Sequence, residues 1–368
     1  MTRVYRLALA TLLVTLALIV VGSVARLHPA GTGCGNTWPL CDGQILPPRE
    51  WAALVEVAHR LLAVAVLLLA SATTIAACVA PEVAPRVRAL AVSGLAVLLL
   101  QVVVGGLTAV LAAPALIAVL HLTTAMLFIG LVLATTVAAA AQRGAPAALA
   151  ALGRWPAPGF DRRFVLVATT AAVVALFLVV FGASTSAGGA APCATWPMCQ
   201  EPEFGSAPHV EAHLGYQATA LLGALAAGGA LLAAYQRRMG SGVCALAMLA
   251  VLVVVAQTIL NAAGAVGGSP TWITAPQLFL ATVLWLTMGA LALAAWSTPP
   301  AATATSAPGG PSGNTRTPQF DASLPQVSGA LAVAAPSMAA TAPFPAWLAV
   351  RQVVADYVAL TKPGIMSL

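Results

Sequence analysis

The chain has 368 residues, of which 60% are hydrophobic and only 7% charged, and its mean hydropathy is +0.95. Soluble domains carry about 25% charged residues, so this composition excludes an ordinary cytosolic enzyme, a secreted disulfide scaffold and a disordered chain. The formal net charge of +6 does not point to nucleic acid, because fifteen of the sixteen basic residues are Arg scattered between apolar runs. In a bilayer only helices or closed barrels satisfy the backbone, and long Ala/Leu/Val runs without short alternating segments predict helices.

A spanning helix takes about 20 mostly apolar residues. Eight such runs occur in order: 7–26, 56–79, 89–111, 115–140, 164–186, 209–235, 243–264 and 274–297. The first has a rival reading as a signal peptide, with Ser23-Val24-Ala25 as a cleavage site. It is read as retained, because its apolar run is long for a signal and the internal repeat of the chain needs it. Arg3, Arg6, Arg86, Arg88, Arg143, Arg154, Arg162, Arg163, Arg237 and Arg238 fall on one side of these spans, and only Arg26 and Arg49 on the other. The positive-inside rule therefore puts both termini in the cytoplasm of a plasma-membrane protein. Residues 142–163 read as a cytoplasmic linker, and 298–350, rich in Pro, Ala, Thr, Ser and Gly, as a disordered one.

The two halves align on each other. Cys34-Gly-Asn-Thr-Trp-Pro-Leu-Cys41 recurs as Cys193-Ala-Thr-Trp-Pro-Met-Cys199, and Gln101-Val-Val-Val-Gly-Gly recurs from Gln257 at an offset of 156. His59 pairs with His213 at 154, and His121 pairs with Gln277 at 156. Four spans per repeat keep both copies the same way up, a parallel repeat about an axis along the membrane normal. The predicted fold is an all-α integral membrane protein of eight transmembrane helices, arranged as two pseudo-symmetric four-helix bundles over 1–141 and 164–297.

His59, His121 and His213 are expected in the first turns of even-numbered spans, in the outer part of the membrane. Two His on facing helices can supply both axial ligands of a haem, which wants nitrogen donors for its iron and an apolar slot for its ring. Taken singly, each is better read as a satisfied polar residue near a helix end; the repeat-related placement favours ligation for the set. Zinc is disfavoured by the lack of further ligands nearby in sequence. His28 and His209 are left unassigned. Gln277 breaks the pattern, since an amide is a poor iron ligand, and Gln277→His is expected to restore six-coordination to the second site. Glu56 and His59 share a helix face. Glu56 either transfers protons and stabilises cationic charge or answers the positive helix end; Arg60 either pairs a haem propionate or snorkels. Their counterparts Val210 and Leu214 are apolar, so the chemistry is expected in the first half.

Cys34/Cys41 and Cys193/Cys199 fall in the two long outer loops, and each spacing can close a small disulfide loop. A structural staple is the simpler reading for Cys193–Cys199, and a redox role stays open for Cys34–Cys41. Cys78 and Cys244 read as inert.

Together the Cys-Trp-Pro-Cys loops, Glu56-x-x-His59-Arg60, the segment Gln101–Thr108, His121 and His213 resemble haem A synthase over residues 1–297. The resemblance implies oxidation of a ring methyl of haem O to a formyl group by successive hydroxylations. By it, the substrate lies between His59 and His121 with Glu56 as catalytic carboxylate, and a haem b cofactor lies in the C-terminal half on His213. It further implies service to cytochrome oxidase assembly, a membrane electron donor such as quinol, and room for a homo-oligomer. Gln277 and Leu214 depart from the family pattern of a fourth His and an Arg. Residues 351–368, including Asp356–Leu368, are similar to the opening of haem O synthase, the protohaem farnesyltransferase, and suggest a natural fusion with the enzyme that makes the substrate. The competing readings are a dihaem b-type electron-transfer protein and a haem-binding chaperone without catalysis.

Overall fold

A computed structural model describes residues 2–26, 33–41, 43–44, 50–111, 115–142, 162–187, 207–239, 241–266 and 273–297. Within these, the side chains of 183–187, 207–214, 216, 219, 265–266, 274 and 297 lie outside the described set. All described residues belong to the unit Met1–Ser306. Of the expected linker 142–163, residues 143–161 lie outside them and Arg162 and Arg163 already belong to a helix; the linker 298–350, the Cys193–Cys199 loop, the segment 351–368 and His28 also lie outside them.

Eight helices run through the described residues: α1 (Thr2–Ala25), α2 (Trp51–Val79), α3 (Pro85–Val110), α4 (Ala115–Ala141), α5 (Arg162–Ala187), α6 (Ala207–Gln236), α7 (Ser241–Val266) and α8 (Thr274–Ser297). Seven of them are long and apolar enough to cross a membrane; in α6 the apolar part is the shorter Ala220–Gln236. The described residues are thus helical apart from short turns, and their length and composition are those of a multi-pass, all-α membrane protein. The helix ends have local causes. Pro85 opens α3 at a position where its missing N–H costs nothing. Arg88 closes α2 from the neighbouring helix, donating to the carbonyls of Ala77, Ala80 and Val83 at 3.1–3.2 Å, where a cation suits the negative helix end.

Helices α1 to α4 form a closed ring in which each packs on the next and α4 returns to α1; α5 to α8 close a second ring in the same order. The rings meet through α1 and α4 on one side and α5 and α8 on the other. Small residues carry this packing, as expected where lipid offers no water-driven collapse. In the second ring, Ala168, Ala171, Ala172, Ala227, Ala230, Ala234, Ala247 and Ala250 are buried around Met288 and Leu291. On the seam, Trp285 Nε1 donates to the Met126 carbonyl at 3.1 Å. Thr282 faces the Met126 sulfur across 156 residues, and Leu133 reaches Gly289, also 156 residues on. Phe128, Val66, Leu98 and Val132 pack together within the first ring, while Met126 and Ile129 pack into the seam.

Candidate functional site

Helix α2 begins at Trp51, five residues before the expected boundary. His59 therefore lies in its third turn, and His121 lies in the second turn of α4. His59 is thus more than a turn deeper than the hydropathy of its run predicts, because residues 51–55 are themselves good helix formers, whereas α4 begins where expected. Glu56 is correspondingly not in the first turn of α2, which removes the helix-end explanation for its charge.

Each histidine ring sits against a glycine on a facing helix. A Cβ at Gly22 of α1 would fall 2.6 Å from His59 Cε1, and one at Gly105 of α3 would fall 2.8 Å from His121 Cε1. Glycine is the residue that lets a ring approach a helix backbone this closely. Neither Nδ1 completes a hydrogen bond, and both are buried.

Gln101 is a site residue that sequence reasoning misses, although its recurrence as Gln257 is the available signal. Its Nε2 lies 3.4 Å from His121 Nε2, while its Oε1 accepts the Thr124 hydroxyl. One amide thereby ties α3 to α4 and holds the ring.

Above the histidines lies the loop 33–44. Cys34 and Cys41 are joined by a disulfide and are buried with Ala53 of α2. The Glu56 carboxylate is anchored in this loop: Oε2 accepts the Cys34 backbone N–H at 2.9 Å, and Oε1 pairs with Arg60 Nη2 at 2.5 Å. A Cβ at Gly33 would collide with Glu56 Oε2. Arg60 donates also to the carbonyls of Thr37 at 2.9 Å, Pro39 at 3.0 Å and Leu40 at 2.8 Å. Its guanidinium is thus occupied by the loop and Glu56. Trp38 reaches α3, where a Cβ at Gly106 would lie 3.2 Å from its ring. The loop is a lid fixed at both ends, with the Glu56–Arg60 pair directly beneath it.

The second ring differs. His213 lies in α6 and its side chain is outside the described residues, as are those of Leu214 and His209. Gln277 Nε2 donates to Asn261 Oδ1 at 2.6 Å, and Gln257 Nε2 reaches the Gln277 carbonyl at 3.4 Å. Gln257 Oε1 is buried without a partner beside a cavity of about 70 Å³ that Thr258, Asn261 and Gly223 help to line. Cys78 and Cys244 are free thiols.

No family model matches the chain. Heme A synthase of Symbiobacterium thermophilum is 29% identical over 195 residues, covering 52% of this chain and 62% of the relative. That of Bacillus pumilus is 32% identical over 117 residues, 31% of this chain and 38% of the relative. That of Shouchella clausii is 34% identical over 137 residues, 36% and 45%. The chain therefore spans between 38% and 62% of the length of these curated relatives. A helical chain with two glycine-cradled histidines is thus similar, over part of its length, to relatives that all carry the name heme A synthase.

Proposed function

We propose that this protein is a haem A synthase that oxidises a ring methyl of haem O through two monooxygenations. Each inserts one atom of dioxygen and reduces the other to water with two electrons from a quinol-class donor, and the geminal diol then loses water to leave the formyl group of haem A. The observation that carries the reading is the pair of buried rings, His59 and His121. Each ring is backed by a glycine on a facing helix and has a buried Nδ1 without a partner among the described residues. The substrate haem O lies between them in the first ring of helices. Glu56 is the catalytic carboxylate: it is held at a fixed place by Cys34 N–H and Arg60 and can take or give a proton at Oε1 or Oε2. Arg60 acts by positioning the lid, and Arg26, which makes no ion pair among the described residues, is the guanidinium open to a propionate.

The family implies a resident haem b in the second ring, bound through His213. The described residues do not offer a histidine at the place corresponding to His121, because position 277 carries an amide bonded to Asn261, so such a group would be held through His213. The two rings are read as pseudo-symmetric bundles, 1–141 catalytic and 164–297 cofactor-bearing, all eight helices spanning. Both termini lie in the cytoplasm at the plasma membrane. The repeat-related contacts on the seam between α4 and α8 support this arrangement. Haem O synthase, as supplier of the substrate, and a quinol-class electron donor are the expected partners.

The experiment is conversion of added haem O by the purified full chain, read as formyl haem after pigment extraction. Glu56→Ala is expected to retain bound haem and lose the product; undiminished product would remove Glu56 from the chemistry. Bound haem without turnover in a competent redox system would turn the reading to a haem carrier.

A further inference from the structure

Three positions around His121 have counterparts in the second ring, and all three have changed together. Gly105 becomes Asn261, His121 becomes Gln277 and Thr124 becomes Leu280, each at an offset of 156, while Gln101 is kept as Gln257. On the opposite side nothing comparable is lost: His59 is kept as His213, and Gly22 is kept as Gly182 at an offset of 160. A histidine and its glycine are thus retained as a unit on one side and replaced as a unit on the other.

The geometry explains why they travel together. At Gly105 a Cβ would lie 2.8 Å from the His121 ring, closer than real Cβ atoms approach, and an imidazole is too rigid to yield cheaply. Asn261 carries that Cβ, and its side chain occupies the space with a 2.6 Å hydrogen bond to Gln277. The loss of the third residue is visible as well. Gln101 Oε1 accepts from Thr124, whereas Gln257 Oε1, facing a ring in which Leu280 offers no donor, is buried and unpaired.

We infer that Asn261 and Gln277 form a coupled pair that fills the place in the C-terminal ring corresponding to Gly105 and His121, so that no iron ligand is offered from there. The inference rests on the haem-binding reading of the protein and changes one of its consequences: Gln277→His by itself does not rebuild the missing ligand.

The test is spectroscopic and requires no turnover. Ferric protohaem is titrated into the purified full chain carrying His59→Ala and His121→Ala, so that only the C-terminal ring binds iron, and low-spin haem per chain is counted by electron paramagnetic resonance. Gln277→His is expected to add none, and Asn261→Gly with Gln277→His is expected to add one low-spin haem per chain. Low-spin haem from Gln277→His alone, or none from the pair, overturns the inference. If the chain with all its own histidines takes up no ferric haem, the haem reading falls and the inference with it, so the two failures are distinct. Thermal unfolding gives a readout free of haem: Asn261→Gly and Gln277→Ala should be non-additive, and simple additivity would deny the coupling.

Discussion

An imidazole buried in a helix bundle needs a gap on the helix that faces it, and Gly22 and Gly105 make that gap for His59 and His121. The histidines stand out in a sequence that has so few polar residues. Their glycines do not, because 31 glycines are spread through the chain and only the facing backbone tells which of them matter. Gly105→Ala separates structure from ligand binding. In a free helix the change is favourable by about 0.5–1 kcal/mol, but here the added Cβ meets His121. Displacing the ring costs about 1–3 kcal/mol, roughly 5- to 150-fold in haem affinity. Titration of the variant with haem is expected to show weaker binding in the first ring with the helical fold intact. Unchanged affinity would mean that the ring has another way to reach iron.

At the scale of the element, α2 and the loop above it act as one part. Glu56 and Arg60, one turn apart, are a readable pair, yet the direction of Arg60 into the loop carbonyls was not readable, because an irregular loop has no period to reveal where its carbonyls point. Cys34 is the joint: its sulfur closes the loop to Cys41 while its backbone N–H holds Glu56. Closing so short a loop constrains the unfolded chain by about 2–3 kcal/mol. Cys34→Ser with Cys41→Ser is therefore expected to lower the unfolding temperature and to reduce formyl haem production, since Glu56 loses a fixed donor. Reductant should do the same to the parent protein. Equal thermal stability of the oxidised and reduced protein would make the disulfide incidental.

For the whole molecule, the seam between the rings is where the duplicated halves are held to one another. Trp285 fills the notch at Gly130, where a Cβ would lie 3.0 Å from its ring, and its Nε1–H is spent on the Met126 carbonyl. Trp285→Phe removes the donor and leaves most of the ring. Hydrogen bonds between membrane helices contribute about 0.6–1.7 kcal/mol, and a loss of that size is expected in the unfolding of the detergent-solubilised protein. No loss would mean that the seam rests on packing alone. Outward, Leu61, Leu68, Ile75, Val79, Leu166 and Leu225 are exposed, the apolar surface that lipid covers.

The sequence by itself determined residence in a bilayer, the run of helices in order, the repeat, and the positions at which the second copy departs from the first. Scarce charge, runs of helix length and duplicated spacing are local properties, and they survive without knowledge of how the chain packs. Tertiary structure alone decided which glycine faces which histidine, that Arg60 serves the lid, and that Asn261 answers Gln277. The reason lies in the solvent. In lipid the outer face of a helix is as apolar as the face turned to its neighbours, so hydropathy gives no stripe from which to read its rotation. Only the packed helices supply that angle, and with it the partners of every side chain in the site.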